Sequence, residues 1–218
     1  MSKEFEVRWE GLLPADPRQV WDAITVHTGG WLWELSYEPR VGGAERGLTS
    51  GGGTVTAWDP ARHFQTRAER PDGWFNELDY RLEPREHGTL LRYTHRSMFT
   101  SGFDVQYDQC AQHTAFYYHS LGEYLRHFAG LNAAYTTFDV RGTFAAVCER
   151  VHELDATVDY ETDRFLGIRT ADALVRVYGR DAWGGTVGIG LHLFAPGANV
   201  EDAKRALIER LAATEAAV

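Results

Sequence analysis

Tyr80, Tyr93 and His95 are the residues whose types and spacing come nearest to a chemical site. In 74–83, Trp74, Asn76, Leu78, Tyr80 and Leu82 alternate with mainly charged residues. In 89–98, Leu91, Tyr93 and His95 alternate with Arg92, Thr94 and Arg96. A period of two puts each set on one face of a strand, so two phenols and an imidazole share an apolar inner face. Trp31, Trp33 and Trp58 lie in neighbouring strand-like segments, and Tyr117 lies on a helix expected to face them. These eight residues, Trp31, Trp33, Trp58, Trp74, Tyr80, Tyr93, His95 and Tyr117, form the candidate ligand-contacting set. Their rings offer flat apolar area with a polar tip, the make-up of a small-molecule pocket. The competing reading is a filled core whose hydroxyls and imidazole bond to backbone.

An imidazole titrates near neutrality, and Asn76 or Tyr80 is placed to fix the tautomer of His95. Its face carries no partner carboxylate, because Asp79 and Glu83 fall on the other side of their strand. His95 is therefore read as a ligand contact, and no catalytic residue is assigned. Cys110 with His113, and Cys148 with His152, are each spaced to share a helix face. A Cys2His2 zinc site would need two helices from different domains to converge, and any apolar stripe holding Cys and His gives such spacing by chance. Neither cysteine has a neighbouring Lys or Arg to favour a thiolate. Gly188-Ile189-Gly190 lacks a third glycine, and phosphate-loop, HExxH and Gly-x-Ser-x-Gly patterns are missing. No metal and no cofactor is expected.

The elements that must position this set follow from the same periodicities. Phe5, Val7 and Trp9 alternate with Glu4, Glu6, Arg8 and Glu10 in a first strand. Asp16, Pro17 and Gln19 then open a helix as N-cap, first helical residue and capping-box partner. Glycine-punctuated short strands run from 29 to 69, before the two long ones. From about Val105 the period becomes helical, and an apolar stripe runs from Tyr107 to Phe128 with Gly130 placed to end it. Residues 131–218 restart the pattern with short strands, helices at 143–154 and after Asn199, and a hairpin of 174–180 with 186–194. The reading is an α+β chain with one domain at 1–130 and a small α+β domain at 131–218 packed on it. The glycines at 188 and 190 suggest close approach of another backbone or helix.

The chain has 31 acidic and 22 basic residues, a net charge of −9, which repels a polyanion, and nucleic acid is an unexpected partner. No apolar run reaches the roughly 18 residues of a membrane span, and the first ten residues lack a signal-peptide core. A cytoplasmic location with both cysteines reduced is expected. Lys3 and Lys204 are the only lysines, and abundant Arg, Ala and Gly suggest a GC-rich bacterial source.

The segments LPADPRQVWDAIT, GGGTVTAWDPARHF and LDYRLEPREHGTLLRYTHRSMF, with the pair Trp31/Trp33 and a long helix ending HSLGEYLRHFAG, resemble the SRPBCC superfamily. Within it they are most similar to the branch named after the activator of the heat-shock ATPase. FLGIRTADALVRVYGRDAWGGTVGIGLHLF resembles C-terminal extensions of actinobacterial members. The resemblance implies a helix-grip fold, a curved antiparallel sheet wrapped around a long C-terminal helix, enclosing a cavity. Members often carry Gly-Trp where His113-Thr114 stands here, and the missing indole implies a re-shaped cavity mouth. The fold alone implies no reaction. Three functions are compatible with it: binding of a small apolar or aromatic molecule, cyclase- or hydrolase-type catalysis in the same cavity, and a co-chaperone-like role. The last would engage a protein partner or a second copy of the chain.

Overall fold

The computed structural model describes residues 3–99 and 101–212, divided into two compact units. Residues 1–28 and 34–130 form the first unit, and residues 29–33 belong with 131–218 in the second.

The first unit opens with β1 (Lys3–Leu13) and α1 (Pro17–Thr25). Asp16 Oδ1 accepts from the amides of Arg18 at 2.8 Å and Gln19 at 3.0 Å, and the Gln19 side chain accepts from the Asp16 amide, completing the capping box. Replacing Asp16 with Ala should lower stability by about 1 kcal/mol, read as a shift in the denaturant midpoint. An unchanged midpoint would show that the helix is held by packing alone. Six strands follow: β2 (Ser36–Tyr37), β3 (Ala44–Arg46), β4 (Gly53–Asp59), β5 (His63–Glu69), β6 (Phe75–Arg85) and β7 (Gly88–Phe99). The unit closes with α2 (Phe103–His127). The seven strands make one antiparallel sheet in the order β1-β7-β6-β5-β4-β3-β2. This is a helix-grip fold.

The charged residues of β1, β6 and β7 pair across the outer face, as in Arg92 with Glu10 and Glu83. Their alternation leaves the inner face to Phe5, Val7, Leu78, Tyr80, Leu82, Leu91 and Tyr93, all buried. From α2 the buried residues are Thr114, Phe116, Tyr118, Ser120, Leu121, Glu123, Tyr124 and Leu125. No residue from Phe103 to His113 is buried, so the helix is well covered only in its second half.

The second unit comprises β8 (Ala134–Val140), α3 (Phe144–His152), β9 (Thr157–Glu161), β10 (Phe165–Arg169), β11 (Ala173–Gly179), β12 (Val187–Leu193) and α4 (Val200–Ala212). Its antiparallel sheet has the order β8-β12-β11-β10-β9. One sheet face, with Val175, Val177, Ile189 and Leu191, packs with Val147 and Val151 of α3 and Leu207 of α4. Asn199 caps α4 through the amides of Glu201 and Asp202. The other face carries Arg176 and His192, both buried. The His192 Nδ1–H donates to the carbonyl of Gly29 at 2.7 Å. Gly188 and Gly190 admit side chains, not the backbone or helix expected from the sequence. A Cβ at Gly188 would stand 2.0 Å from the Arg180 guanidinium, and Gly190 lies against the rings of Tyr178 and Tyr135.

Among the described residues, no helix is long and apolar enough to cross a membrane. No group of three or more His, Cys, Asp or Glu side chains among them is placed to hold a metal ion. Burial pushes the Cys110 thiol up to about 11 and the Cys148 thiol up to about 12, which disfavours the nucleophilic thiolate at both.

Candidate functional site in the grip

The strand register of the first unit lines up aromatic residues across its inner face. Trp9, Tyr93, Tyr80, Phe64 and Trp58 pair in turn on β1, β7, β6, β5 and β4. Successive ring centroids are 5.0 Å apart for Tyr93–Tyr80 and 5.5 Å for Tyr80–Phe64 and Phe64–Trp58. Tyr118 of α2 stacks on Trp9 at 4.6 Å and meets Tyr93 at 4.7 Å. Its hydroxyl is hydrogen-bonded to those of both Tyr80 and Tyr93. Burial raises the pKa of all three phenols, and they stay protonated as donors at neutral pH.

A second inner row crosses all seven strands and is more polar. Phe5, Ser97, Asn76 and Ala68 pair in turn on β1, β7, β6 and β5. A Cβ on Gly53 of β4 would stand 3.3 Å from that of Ala68, which places Gly53 beside it in the row. Gly53 pairs with Glu45 of β3, and Glu45 with Tyr37 of β2. The same hypothetical Cβ would be 2.7 Å from Glu45 Oε2, so only glycine leaves room for this carboxylate. Glu45 is 1% exposed, and its Oε1 accepts from the Leu48 amide at 2.8 Å. Burial raises its pKa, partly offset by the bond from Leu48. The Tyr37 ring reaches Phe64 of the aromatic row at 4.8 Å. Glu45, with Ala44, Arg46 and Gly51–Gly53, lines a surface depression of about 440 Å³.

His95 sits between the two rows, opposite Val7 and Leu78. Its Nε2–H donates to Asn76 Oδ1 at 2.7 Å, which fixes the tautomer, and Phe5 meets its ring edge-on at 5.0 Å. Burial lowers its pKa to about 4, so the ring is neutral at pH 7. Neither its pKa nor a carboxylate partner suits general-base work near neutrality.

Of the candidate set, Trp58, Tyr80, Tyr93 and His95 therefore come together in the grip. Trp74 stands in the turn before β6, with the Arg70 guanidinium 4.3 Å above its ring. Tyr117 is half-buried, tilted against His113 at 5.8 Å, while its neighbour Tyr118 takes the inward position. Trp31, buried, and Trp33, half-buried, belong to the second unit. Trp9, Tyr37, Glu45, Phe64 and Tyr118 complete the site and were not singled out from the sequence. Phe64, Thr66 and Ala68 alternate within β5, and that pattern was the available sign for Phe64.

No family model matches the chain, and no curated protein matches it. Similar solved structures include protein MLL2253 from Mesorhizobium loti, 21% identical over 57% of this chain and 98% of that one, with a TM-score of 0.47. CalU16 from Micromonospora echinospora is 19% identical over 57% of this chain and 86% of that one, with a TM-score of 0.45. The Aha1 dimer from Colwellia psychrerythraea is 22% identical over 56% of this chain and 96% of that one, with a TM-score of 0.44.

Proposed function

We propose that the first unit binds a small apolar or aromatic molecule between the inner face of its sheet and α2, as a member of the SRPBCC superfamily. The observation that carries this reading is the phenol trio of Tyr80, Tyr93 and Tyr118, set in a row of aromatic rings. A core that needed only volume would be filled by Leu and Val without three buried hydroxyls to satisfy. The rings supply apolar area for desolvating the ligand, and phenol hydroxyls can donate to a ligand acceptor such as a carbonyl oxygen. Entry is from the half-covered first turns of α2, where His95 and Asn76 are also half-buried.

Native mass spectrometry of the purified protein, with the same sample after unfolding and extraction, tests for a retained small molecule. Titration with 2-acetylnaphthalene, a neutral aromatic ketone, tests the site directly. Tyr93→Phe should weaken that binding by about 0.5–1.5 kcal/mol through one lost hydrogen bond. An empty protein that also fails to bind the ketone would overturn the reading, and unchanged affinity in the variant would remove Tyr93 from it.

A further inference from the structure

Among the first unit's described residues, the buried side chains that bear a carboxyl group are Glu45 and Glu123, and none is Lys or Arg. Glu123 is paired, to Arg126 and, at 3.6 Å, to His127. Glu45 has no ion-pair partner among the described residues: its Oε1 accepts from the Leu48 amide, and its Oε2 lies beside Gly53 of the inner row. His95 adds no positive charge there, being neutral and bonded to Asn76. Lys3 is the cation on the same sheet face, but it is exposed at the rim, its ammonium 3.7 Å over the ring of Phe103. A buried carboxylate without a cation is costly, and proteins rarely keep one unless something else supplies the charge.

The surroundings of Glu45 fit a cation that is also apolar. Tyr37 stands opposite it across the strand pair, and the Tyr37 ring leads through Phe64 to Trp58. Aromatic faces attract ammonium groups through their quadrupole, most strongly where water is excluded. An anionic ligand would meet the Glu45 carboxylate and three phenols with no buried cation to offset its charge. A purely hydrocarbon ligand would leave the carboxylate unanswered.

We propose that the grip is selective for a small aromatic or apolar amine in its protonated form, with Glu45 as the counter-ion and the Tyr37–Phe64 rings against the ammonium group. This rests on the reading of the interior as a ligand site and names the ligand's charge. The amine nitrogen lies at the Glu45 row, and the apolar body lies along the aromatic row towards Tyr80 and Tyr118.

The test compares two probes of nearly equal shape, 2-naphthylmethylammonium and 2-naphthylmethanol, by fluorescence titration of the full chain at pH 7, with 2-acetylnaphthalene as reference. The ammonium should bind at least about ten-fold more tightly than the alcohol. Glu45→Gln keeps an oxygen to accept from Leu48 and should erase that preference. Equal affinity for the two probes in the wild-type protein overturns the amine assignment alone, provided the ketone binds. A preference that survives Glu45→Gln also overturns it, by placing the ammonium elsewhere. If neither probe nor ketone binds, the interior is not a ligand site and both readings fall together.

Discussion

Replacing Asp159 with Ala should destabilise the second unit by about 3–5 kcal/mol, a larger loss than a typical surface substitution produces. The Arg176 side chain is fully buried, and that of Asp159 is 5% exposed. One guanidinium nitrogen donates to both carboxylate oxygens, at 2.9 and 3.0 Å. A register shift lets this happen: Gly167 pairs with Tyr160 and Ile168 with Val158, so Asp159 is the extra residue of a bulge. The bulge turns its carboxylate towards β11, and Gly167 makes way, since a Cβ there would be 2.5 Å from both charged groups. Removing the carboxylate leaves a guanidinium buried beside an apolar sheet without its counter-charge. Hydrogen exchange at the amides of β10 and β11 in the full chain reads this unit separately from the first. Pairing Asp159→Ala with Arg176→Met should recover much of the loss, because an apolar pair of similar volume leaves no charge behind. Protection unchanged in the single variant would show that the pair contributes little.

That pair was invisible in the sequence, and the reason is general to what could and could not be read there. Alternation identified the inner faces of β1, β6 and β7 because charged residues mark their outer faces at every second position. Tyr80, Tyr93 and His95 followed directly, and so did the tautomer partner Asn76. A bulge destroys this logic. In β4 the register shifts between Val55 and Ala57, so Val55 and Trp58 both take part in inner rows although their separation is odd. In β9 the same device hides Asp159. Tyr37 and Glu45 sit in strands of two and three residues, too short to show a period, and a lone Glu reads by type as exposed. On α2, Tyr117 and Tyr118 are about 100° apart around the helix, and the apolar stripe is wide enough to admit either. Trp31 and Trp33 follow α1 in the chain, yet they belong to a unit whose other residues begin a hundred positions later. Nothing local in the sequence reports such a partner. The helices were more legible, because Asp16 and Asn199 each supply a cap whose chemistry is local.

Acid should weaken the protein well before its carboxylates are all protonated, and His192 should dominate the effect. The imidazole is buried, its Nδ1–H is committed to the Gly29 carbonyl, and its Nε2 has no hydrogen-bond partner among the described residues. Burial lowers its pKa from 6.5 to about 3; the bond to Gly29 opposes this lowering, and the Arg176 charge adds to it. The unfolded chain therefore takes up a proton at about 6.5 that the folded chain refuses until about 3. Above pH 6.5 the group contributes no pH dependence, and stability then falls as pH drops from 6.5 towards 3, levelling below that. At about 1.4 kcal/mol for each pH unit between those two values, the loss from His192 is on the order of 3–5 kcal/mol. His95, lowered to about 4, adds a smaller loss of the same sign in the first unit. Glu45 works against it there, because a raised carboxyl pKa favours the folded state as the group becomes protonated. The second unit should accordingly be the more acid-sensitive, and hydrogen exchange at pH 7, 5.5 and 4 separates the two. His192→Asn places an amide donor near the Nδ1 position without a titrating group. It should be less stable than the wild type at pH 7 yet lose little further stability on acidification. An acid dependence as steep in the variant as in the wild type would move its cause from His192 to another group.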